Sequence, residues 1–330
     1  MKFSHVIGLD MSKETFNVFV HGHSFEREFA NSANSIRRML KTLSKVFNTP
    51  VVQCLFCLEH TGLYSLEMMK QLSAHQIPYA VIPGLELKRS LGIRRGKNDR
   101  IDARRIAEYA ALRQDTLKLH ELPSEELMVL QNLLSLRAFH VRTRAGYKAR
   151  FHEQKRVLKQ KDNPILFQSQ KRMIASLDLE IKKVEQQIQQ LIQASKLIKY
   201  YFDLICTIKG VGMVVAAKVI VKTKCFSSFS DPRKFACYIG SAPFPKESGK
   251  MKSNHRISNI ADKEMKTLLT LAAQASILYD PEIKHYYNRK LKQGKSKKNV
   301  RNAVRNKLIA RIFSVAKRGT PYVVLNKFAA

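Results

Sequence analysis

The sequence predicts an α/β domain at the N-terminus, followed by a long helical arm and a mainly helical C-terminal domain. Over the first 115 residues, short runs rich in Val, Ile and Phe alternate with helix-like segments, a pattern typical of a layered α/β fold. From Pro123 to about residue 200 the strand pattern is absent. We therefore predict three domains, at residues 1–115, 120–200 and 201–330.

Each element of the N-terminal domain follows from its local pattern. Three short runs near residues 4–10, 15–21 and 24–30 are separated by Ser, Gly and His, which predicts a meander of three strands. Pro83-Gly84 predicts a turn before a basic stretch. The other elements are predicted as a helix at 32–46, a strand at 50–58, a helix at 62–74, a strand at 78–82 and a helix at 99–113.

The helical arm opens with a helix start signal, in which Pro123 and Ser124 precede two glutamates. Asp162-Asn163-Pro164 divides the arm, so we predict an antiparallel helical hairpin with coiled-coil character. Two ordinary amphipathic helices packed on a globular core are the alternative. Apolar residues recur at Leu127, Leu130, Leu134 and Val141 in the first half, and at Ile174, Leu177, Ile181, Val184, Ile188 and Leu191 in the second.

Two features mark the C-terminal domain. Gly210-Val211-Gly212 precedes an apolar helix, a shape that can present backbone N–H groups to a phosphate. Two glycines at a tight turn are at least as often structural, so that reading stays open. After Asp280-Pro281, residues 281–318 carry thirteen Lys or Arg and one acid, Glu282.

The charge of the chain predicts a polyanionic partner. The 59 Lys and Arg outnumber the 26 Asp and Glu, which gives a formal net charge of +33, and nucleic acid is the first candidate partner, ahead of an anionic membrane surface. Residues 1–115 hold 17 basic and 11 acidic side chains, so most of the excess lies beyond them. No apolar run reaches the roughly 18 residues of a membrane span. We expect a cytoplasmic bacterial protein that associates with the nucleoid when it acts.

The five cysteines predict neither a zinc site nor a disulfide framework. Their number is odd, and the closest pair, Cys54 and Cys57, lies in a predicted strand. Because residues three apart on a strand point to opposite faces, buried reduced thiols are expected rather than a metal or redox site.

Four acidic residues occupy positions at which the presence of a carboxylate requires an explanation. Asp10 and Glu59 each end an apolar run, and Asp99 and Asp102 lie three apart on one predicted helix face. Acids that converge from two strands and a helix on a three-strand meander are the arrangement of an RNase H-like nuclease, in which Mg²⁺, or Mn²⁺, promotes phosphodiester cleavage. Taken singly, each acid could instead be a helix cap or a salt-bridge partner.

Basic residues crowd around the acidic pair on the helix and recur in the C-terminal half. Near the acids, steering of phosphate toward a metal centre is favoured over a merely solvated charge run. The predicted nucleic-acid contacts are Arg94, Arg95, Lys97, Arg100, Lys209, Gly210, Gly212, Lys250, Lys252, Arg256, Lys295, Lys297, Lys298 and Arg301.

Six short motifs together resemble a known family. They are Ile7-Gly8-Leu9-Asp10-Met11-Ser12-Lys13, Glu59-His60-Thr61-Gly62, Lys97-Asn98-Asp99-Arg100-Ile101-Asp102-Ala103, Gly210-Val211-Gly212, Phe235-Ala236-Cys237-Tyr238-Ile239-Gly240-Ser241-Ala242-Pro243, and Ser248-Gly249-Lys250 followed by Arg256-Ile257-Ser258. In this order they resemble the DEDD-type insertion-sequence transposases, which are related to the Piv invertases and pair a RuvC-like N-terminal domain with a C-terminal transposase domain. Ala261 and Lys209 stand where that family commonly has glycine and proline, which leaves two loop shapes open.

The resemblance implies a chemistry and a set of partners. Asp10, Glu59, Asp99 and Asp102 would bind Mg²⁺, and Ser248 would attack DNA to form a covalent phosphoserine. The arm would mediate a homodimer, and two dimers would hold donor and target DNA as a tetramer. A structured noncoding RNA would guide the reaction.

Several alternatives stay open. Ser253 and Ser258 compete with Ser248, although Ser258 is expected to cap a helix. The chain could instead be a metal-only RuvC-like junction-resolving endonuclease, or a noncatalytic RNA- or DNA-binding protein.

Overall fold

The computed structural model describes residues 3–90, 99–248 and 251–323, with the backbone alone for residues 99–100, 245–248 and 251–257. The chain divides into two compact units, Met1–Leu122 and Pro123–Ala330. The three-domain division stays a prediction. Among the described residues, no helix is both long enough and apolar enough to cross a membrane.

The first unit is a five-stranded mixed sheet covered by helices. Its strands lie in the order β3-β2-β1-β4-β5, with β2 antiparallel to β1 and β3, and with β4 parallel to β1 and β5. This mixed α/β architecture is consistent with the predicted RNase H-like fold. The elements are β1 (His5–Met11), β2 (Thr15–Val20), β3 (Glu26–Ala30), α1 (Ala33–Phe47), β4 (Cys54–Glu59), α2 (Leu66–Ala74), β5 (Tyr79–Ile82), α3 (Gly84–Ser90) and α4 (Asp99–Arg113).

Alternation along the strands gives the sheet two apolar faces. On one face, Leu9 and Leu58 join a core that includes Met39 of α1 and Leu72 of α2. On the other face, the side chains of β1, β4 and β5 pack against α4, at Val6, Leu55, Cys57, Ala80, Ile82, Ile106, Tyr109 and Ala110. Cys54 and Cys57 are both buried free thiols and join these two opposite cores, as predicted.

Three elements of the first unit differ from the prediction. The helix expected at 62–74 begins at Leu66, after a 3₁₀ turn at Gly62–Ser65. The strand expected at 50–58 begins only at Cys54, because Val51–Gln53 forms a 3₁₀ turn directly after Pro50. The turn expected at Pro83-Gly84 is instead the start of α3, whose first-turn amides of Glu86 and Leu87 donate to the Pro83 carbonyl. Proline suits this position because it lacks an N–H that would need a partner.

The second unit is mostly helical. Its elements are α5 (Glu125–Val157), α6 (Pro164–Ala194), α7 (Lys196–Cys206), α8 (Met213–Thr223), α9 (Pro232–Tyr238), β6 (Pro243–Ser248), β7 (Met251–Ile257), α10 (Lys263–Tyr279), α11 (Pro281–Lys292) and α12 (Lys297–Arg318). The antiparallel hairpin β6–β7 was not predicted, because two prolines and several charged residues obscure its strand pattern.

The arm helices α5 and α6 run antiparallel. Arg137 donates to Glu185 at 2.7 Å and Gln154 accepts from Gln170 at 2.6 Å, so residue numbers rise along one helix as they fall along the other. The ends of both helices nearest α7 enter the main core of the unit, at Leu127, Leu130, Leu134, Val184, Ile188 and Ile192. The hairpin and the globular-core readings therefore each describe part of the arm.

Candidate active site

Asp10 and Glu59 lie side by side at one end of the sheet. In the parallel pairing of β1 with β4, Leu9 is opposite Leu58, and each acid is the next residue along its strand. By alternation, both acids share the sheet face of Gly8 and Cys57. This is the face that α4 covers.

Helix α4 crosses that face in direct contact with Gly8. A Cβ atom at Gly8 would overlap the Ala103 carbonyl oxygen and would lie 2.6 Å from the Ala107 nitrogen. Glycine is therefore required for the helix to approach the strand so closely. Glycine inside an apolar strand is the sequence signal for such a close contact.

The direction of α4 brings its first turn toward the acids. Ile106 and Ala110 pack with Val6 and Leu55, near the start of the strands, whereas Ala103 packs near Gly8 and Phe19. The helix thus runs opposite to β1, and its N-terminal end lies toward Asp10. Asp99 is one turn before Ala103 on the same helix stripe, and only its side chain falls outside the described residues.

The carboxylate of Asp102 has one partner on its own helix. Arg105 donates to Asp102 at 2.8 Å, an ion pair between residues three apart. The salt-bridge reading of this acid is therefore present in the structure. Metal-binding carboxylates commonly accept hydrogen bonds from neighbouring side chains as well, so the pair is compatible with both roles.

The side chain of Glu59 lies over the first residue of α3. A Cβ atom at Gly84 would overlap Glu59 Oε1 and would lie 3.0 Å from its Cδ atom. Residue 84 can therefore have no side chain while Glu59 keeps this position, a constraint that the Pro83-Gly84 pattern alone does not indicate.

The chemistry of these four residues fits a divalent metal. Carboxylate oxygens from separate elements are the ligands that Mg²⁺ and Mn²⁺ prefer. Within the described part of the chain, no three His, Cys, Asp or Glu side chains form a metal-binding group; Asp99, one of the four predicted ligands, has no described side chain.

Among the described basic side chains near the acids, one faces elsewhere. Arg104 stacks on the Phe19 ring at 4.8 Å and lies 3.8 Å from Glu26, so it covers β2 and β3. The predicted contacts Arg94, Arg95 and Lys97 lie outside the described residues, as does the side chain of Arg100.

Ser248 is the last residue of β6, paired in register with Met251 of β7. Its side chain, the residues Gly249 and Lys250, and the side chains of Lys252, Ser253 and Arg256 lie outside the described part of the chain.

The base of the β6–β7 hairpin is held by α12. Asn302 Nδ2 donates to the Ser241 carbonyl at 3.0 Å, and Asn306 Nδ2 donates to the same oxygen at 3.3 Å. Ser241 is fully buried and lies two residues before β6. These contacts fix the point from which the hairpin extends.

The expectation that Ser258 caps a helix is wrong. Its hydroxyl accepts from the Ile260 amide at 3.1 Å in a local turn, and Asp262 caps α10 by accepting from Met265 N–H at 2.9 Å. Burial alone would raise the pKa of Asp262, but the 2.7 Å ion pair with Lys222 and the Met265 bond lower it. Although burial favours neutral lysine, the same pairing raises the pKa of Lys222.

The two glycines of the Gly210–Gly212 turn differ: Gly210 is closely packed, whereas Gly212 is not. Gly210 has φ +91°, and a Cβ atom there would lie 2.7 Å from the Ser276 nitrogen of α10. Ser276 Oγ also donates to the Lys209 carbonyl at 2.7 Å. Gly212, at the N-terminus of α8, has open space around it, and Lys209 is exposed.

Four of the predicted basic contacts lie around the start of α12. Lys295, Lys297 and Lys298 are exposed and Arg301 is half-buried. A cleft of about 450 Å³ adjoins them, lined by Gln274, Ile277, Leu278, Tyr287, Lys297 and Arg301. It combines cations with an aromatic ring, which suits a phosphate and a base.

Two family models match the chain. One, described as "Transposase IS116/IS110/IS902 family", matches residues 202–288. The other, the IS110 DEDD model described as "Transposase", matches residues 7–160. The second match contains all four acids, and the first contains Ser248.

Curated relatives match at low identity but over nearly the full length. The "Pilin gene-inverting protein" of Moraxella lacunata is 27% identical over 327 residues, which covers 96% of this chain and 97% of the relative. The protein of the same name from Moraxella bovis is 26% identical with the same coverage. An insertion element IS110 protein of 43.6 kDa from Streptomyces coelicolor is 27% identical over 43% of this chain and 34% of its own length.

Proposed function

We propose that the chain is a member of the IS110/IS116 transposase family and a DNA recombinase that moves or inverts a DNA segment through a covalent phosphoserine intermediate. Two models of that family support this proposal, because together they match parts of both units. The observation that carries this proposal is the convergence of Asp10, Glu59 and the first turn of α4 at one end of the sheet. The names of the Moraxella relatives favour inversion as one outcome of the reaction.

The proposed metal site consists of Asp10, Glu59, Asp99 and Asp102. Mg²⁺ or Mn²⁺ bound there would polarise the phosphate and neutralise the charge that develops on it. The four carboxylates would hold the charge of the metal at the end of the sheet. There the missing side chains of Gly8 and Gly84 allow α4 and Glu59 to approach.

The proposed nucleophile is Ser248. Its Oγ attacks the phosphorus of a DNA phosphodiester, the bond from phosphorus to one deoxyribose oxygen breaks, and that oxygen leaves as a hydroxyl after gaining a proton. The serine proton passes to a neighbouring base or to water. A hydroxyl from the exchanged strand then attacks the phosphoserine and releases Ser248, so rejoining needs no ATP.

Trapping the protein on DNA tests the nucleophile. Genomic DNA that flanks the reading frame, end-labelled and incubated with the full chain and Mg²⁺, should give a protein–DNA adduct that survives a denaturing gel. Ser248→Ala should abolish this adduct, whereas the matched variants Ser253→Ala and Ser258→Ala should keep it. An undiminished adduct or undiminished recombination with Ser248→Ala would favour the metal-only endonuclease.

Neutral replacements of the acids test the metal site. Asp10→Asn and Asp102→Asn should lower recombination by at least about 100-fold, as expected when an electrostatic contribution to the transition state is lost. DNA binding should change little, because each variant removes only a single negative charge from the whole chain. Chelation of divalent metal should have the same effect on the unaltered protein. Full recombination by both variants would support a noncatalytic binding protein instead.

We also propose that the active site is shared between protomers of a homodimer, and that two dimers hold donor and target DNA. A mixture of Ser248→Ala and Asp102→Asn chains tests this directly. If Ser248 of one protomer meets the acids of another, each mixed dimer should have one intact active site out of two. Recombination should then return. If every site is composed within one chain, the mixture should be as inactive as its parts.

A structured noncoding RNA is the proposed guide. The basic excess outside residues 1–115 suits RNA as well as DNA. Sequencing RNA that copurifies with the full chain should recover one dominant transcript from the flanking DNA. A random sample of cellular RNA would refute guidance but would leave the recombinase proposal in place.

A further inference from the structure

Arg305 of α12 is a buried cation with no carboxylate partner among the described residues. Only 7% of its surface is exposed. Its guanidinium donates to two neutral oxygens, Asn302 Oδ1 and Thr270 Oγ1, each at 2.9 Å. Its Nε–H is buried without an acceptor. Buried arginines are usually paired with an acid, because an uncompensated buried charge is costly.

The nearby acids are already committed elsewhere. Residues 258–318 contain four acidic side chains. Asp262 pairs with Lys222 at 2.7 Å, and Glu264 pairs with Lys218 at 3.1 Å. The other two, Asp280 and Glu282, both pair with Arg311. The charge of Arg305 is therefore not balanced by α10, α11 or α12.

Further cations surround Arg305 instead of acids. Lys298 and Arg301 lie seven and four residues before it, on the same face of α12. Lys266 lies one turn from Thr270 on α10, the helix that Arg305 contacts. Burial and the nearby charges of Arg305 and Lys298 lower the pKa of Lys266. Burial and the charge of Arg301 lower the pKa of Arg305.

The helix itself adds positive potential at this place. Helix α12 begins after its cap Ser296 with Lys297 and Lys298, and its first turn holds no acid. Cations at this end are unfavourable, because the N-terminus carries the positive end of the helix dipole. Three sources of positive charge therefore lie together: a buried arginine without an acidic partner among the described residues, three further cations, and the positive N-terminal end of α12.

From this convergence we infer that Lys266, Lys298, Arg301 and Arg305 form a binding site for a backbone phosphate of a nucleic-acid strand. The lysines and Arg301 reach the surface and contact the phosphate, and Arg305 supplies charge from beneath. The cleft lined by Tyr287, Lys297 and Arg301 continues from this site and offers an aromatic ring to an adjacent base. The anion site follows from charge and burial, whereas its assignment to nucleic acid rests on the proposed function.

The site is linked to the hairpin that carries Ser248. Asn302, which accepts from Arg305, also donates to the Ser241 carbonyl at the base of that hairpin. A strand held at the phosphate site would therefore approach the point from which β6 extends. This gives the buried polar network a role in positioning DNA, or RNA, near the proposed nucleophile.

Salt-dependent binding tests the site without any contribution from catalysis. The full chain with Ser248→Ala is titrated with fluorescein-labelled DNA and RNA strands of one sequence, across a series of salt concentrations. Weakened binding of the phosphate, whether the side chains that touch it or the charge of Arg305 beneath them is removed, should reduce the slope of log affinity against log salt by up to about 0.7. Arg305→Met and the double variant Lys298→Gln/Arg301→Gln should both show this reduction, and the double variant should lose at least about tenfold in affinity at about 0.1 M salt.

Matched controls separate this effect from stability and from net charge. Arg311→Met removes an arginine of the same helix that is already paired with acids, so the slope should not change. Lys317→Gln/Arg318→Gln removes the same charge as the surface double variant, about 27 Å away along α12. If Arg305→Met fails to fold, the surface double variant still decides the question.

The outcomes are distinct. A reduced slope with DNA, with RNA or with both strands supports the phosphate site and identifies the strand that occupies it. Unchanged slopes for both Arg305→Met and the surface double variant overturn the site. Because the assay measures binding alone, failure of the serine reaction would leave this result standing, and an active recombinase with unchanged slopes would refute only the phosphate site.

Discussion

The carbonyl oxygen of Ala103 in α4 occupies the position that a side-chain carbon of Gly8 in β1 would need. This contact joins the strand that carries Asp10 near its end to the helix that carries Asp99 and Asp102 in its first turn. The distance between β1, which carries Asp10, and α4, which carries Asp99 and Asp102, therefore depends on Gly8, a residue without a side chain.

Replacing Gly8 should damage both stability and activity. Gly8→Val must push α4 away from the sheet, and overpacking of this kind costs roughly 1–3 kcal/mol. Because the helix carries two proposed metal ligands, cleavage should fall below detection even at temperatures where the variant is folded. Denaturant unfolding and the covalent-adduct assay measure the two effects. As a control, Gly146→Ala in α5 meets open space and should be neutral or stabilising by up to about 1 kcal/mol. An active Gly8→Val protein would contradict the proposed geometry.

Replacing Gly84 should affect activity alone. The atom that a Cβ at residue 84 would meet is the far end of the Glu59 side chain, which can rotate away. Gly84→Ala should therefore change the free energy of unfolding by less than about 1 kcal/mol, while displacement of the carboxylate by about 1 Å should reduce cleavage about 100-fold. The neighbouring exposed Leu85 provides a control, since Leu85→Ala should keep full activity. Full activity in Gly84→Ala would indicate that Glu59 is not required in this position.

The two glycines of the Gly210–Gly212 turn should respond differently. Gly210→Ala places a side chain at φ +91° and against Ser276, so it should destabilise the second unit by roughly 1–3 kcal/mol. Gly212→Ala has space and ordinary backbone angles, so the melting temperature should not change. If the α8 N-terminus contacts phosphate, Gly212→Ala should weaken DNA binding severalfold in a fluorescence titration. Unchanged binding would leave the turn with a structural role only.

The Asp262–Lys222 pair should make stability depend on pH in the acid range. The pKa of Asp262 is lowered from 3.8, so the pair contributes its full stabilisation above that value and loses it as pH falls through the lower folded pKa. Asp262→Asn keeps a capping side chain but removes the charge, and should cost about 2 kcal/mol at pH 7, less than a fully buried pair would. Its stability should vary less with pH below about 4. Asp231→Asn, at the cap of α9, provides the control without a buried lysine partner. Parallel pH profiles for the wild-type protein and Asp262→Asn would contradict this assignment.

Local sequence patterns predicted much of the fold because the relevant interactions are local. The helix at 99–113 begins and ends at the predicted residues, and the mixed α/β architecture followed by mostly helical structure is observed. The β6–β7 hairpin was missed because its strands are stabilised by pairing with each other and by contacts from α12, rather than by an apolar alternation in the sequence.

The candidate site likewise combines features that local sequence patterns predict with features that depend on tertiary packing. The sequence alone determined which carboxylates lie near the strand ends and which share a helix face, because chain order and periodicity fix those relations. The convergence of those elements was decided by tertiary structure: by the register that sets Leu9 opposite Leu58, and by the missing side chains at Gly8 and Gly84. The same is true of Arg305, which is one basic residue among many in the sequence. Only packing between α10 and α12 buries its charge and leaves it without an acid, and that burial is what makes it informative.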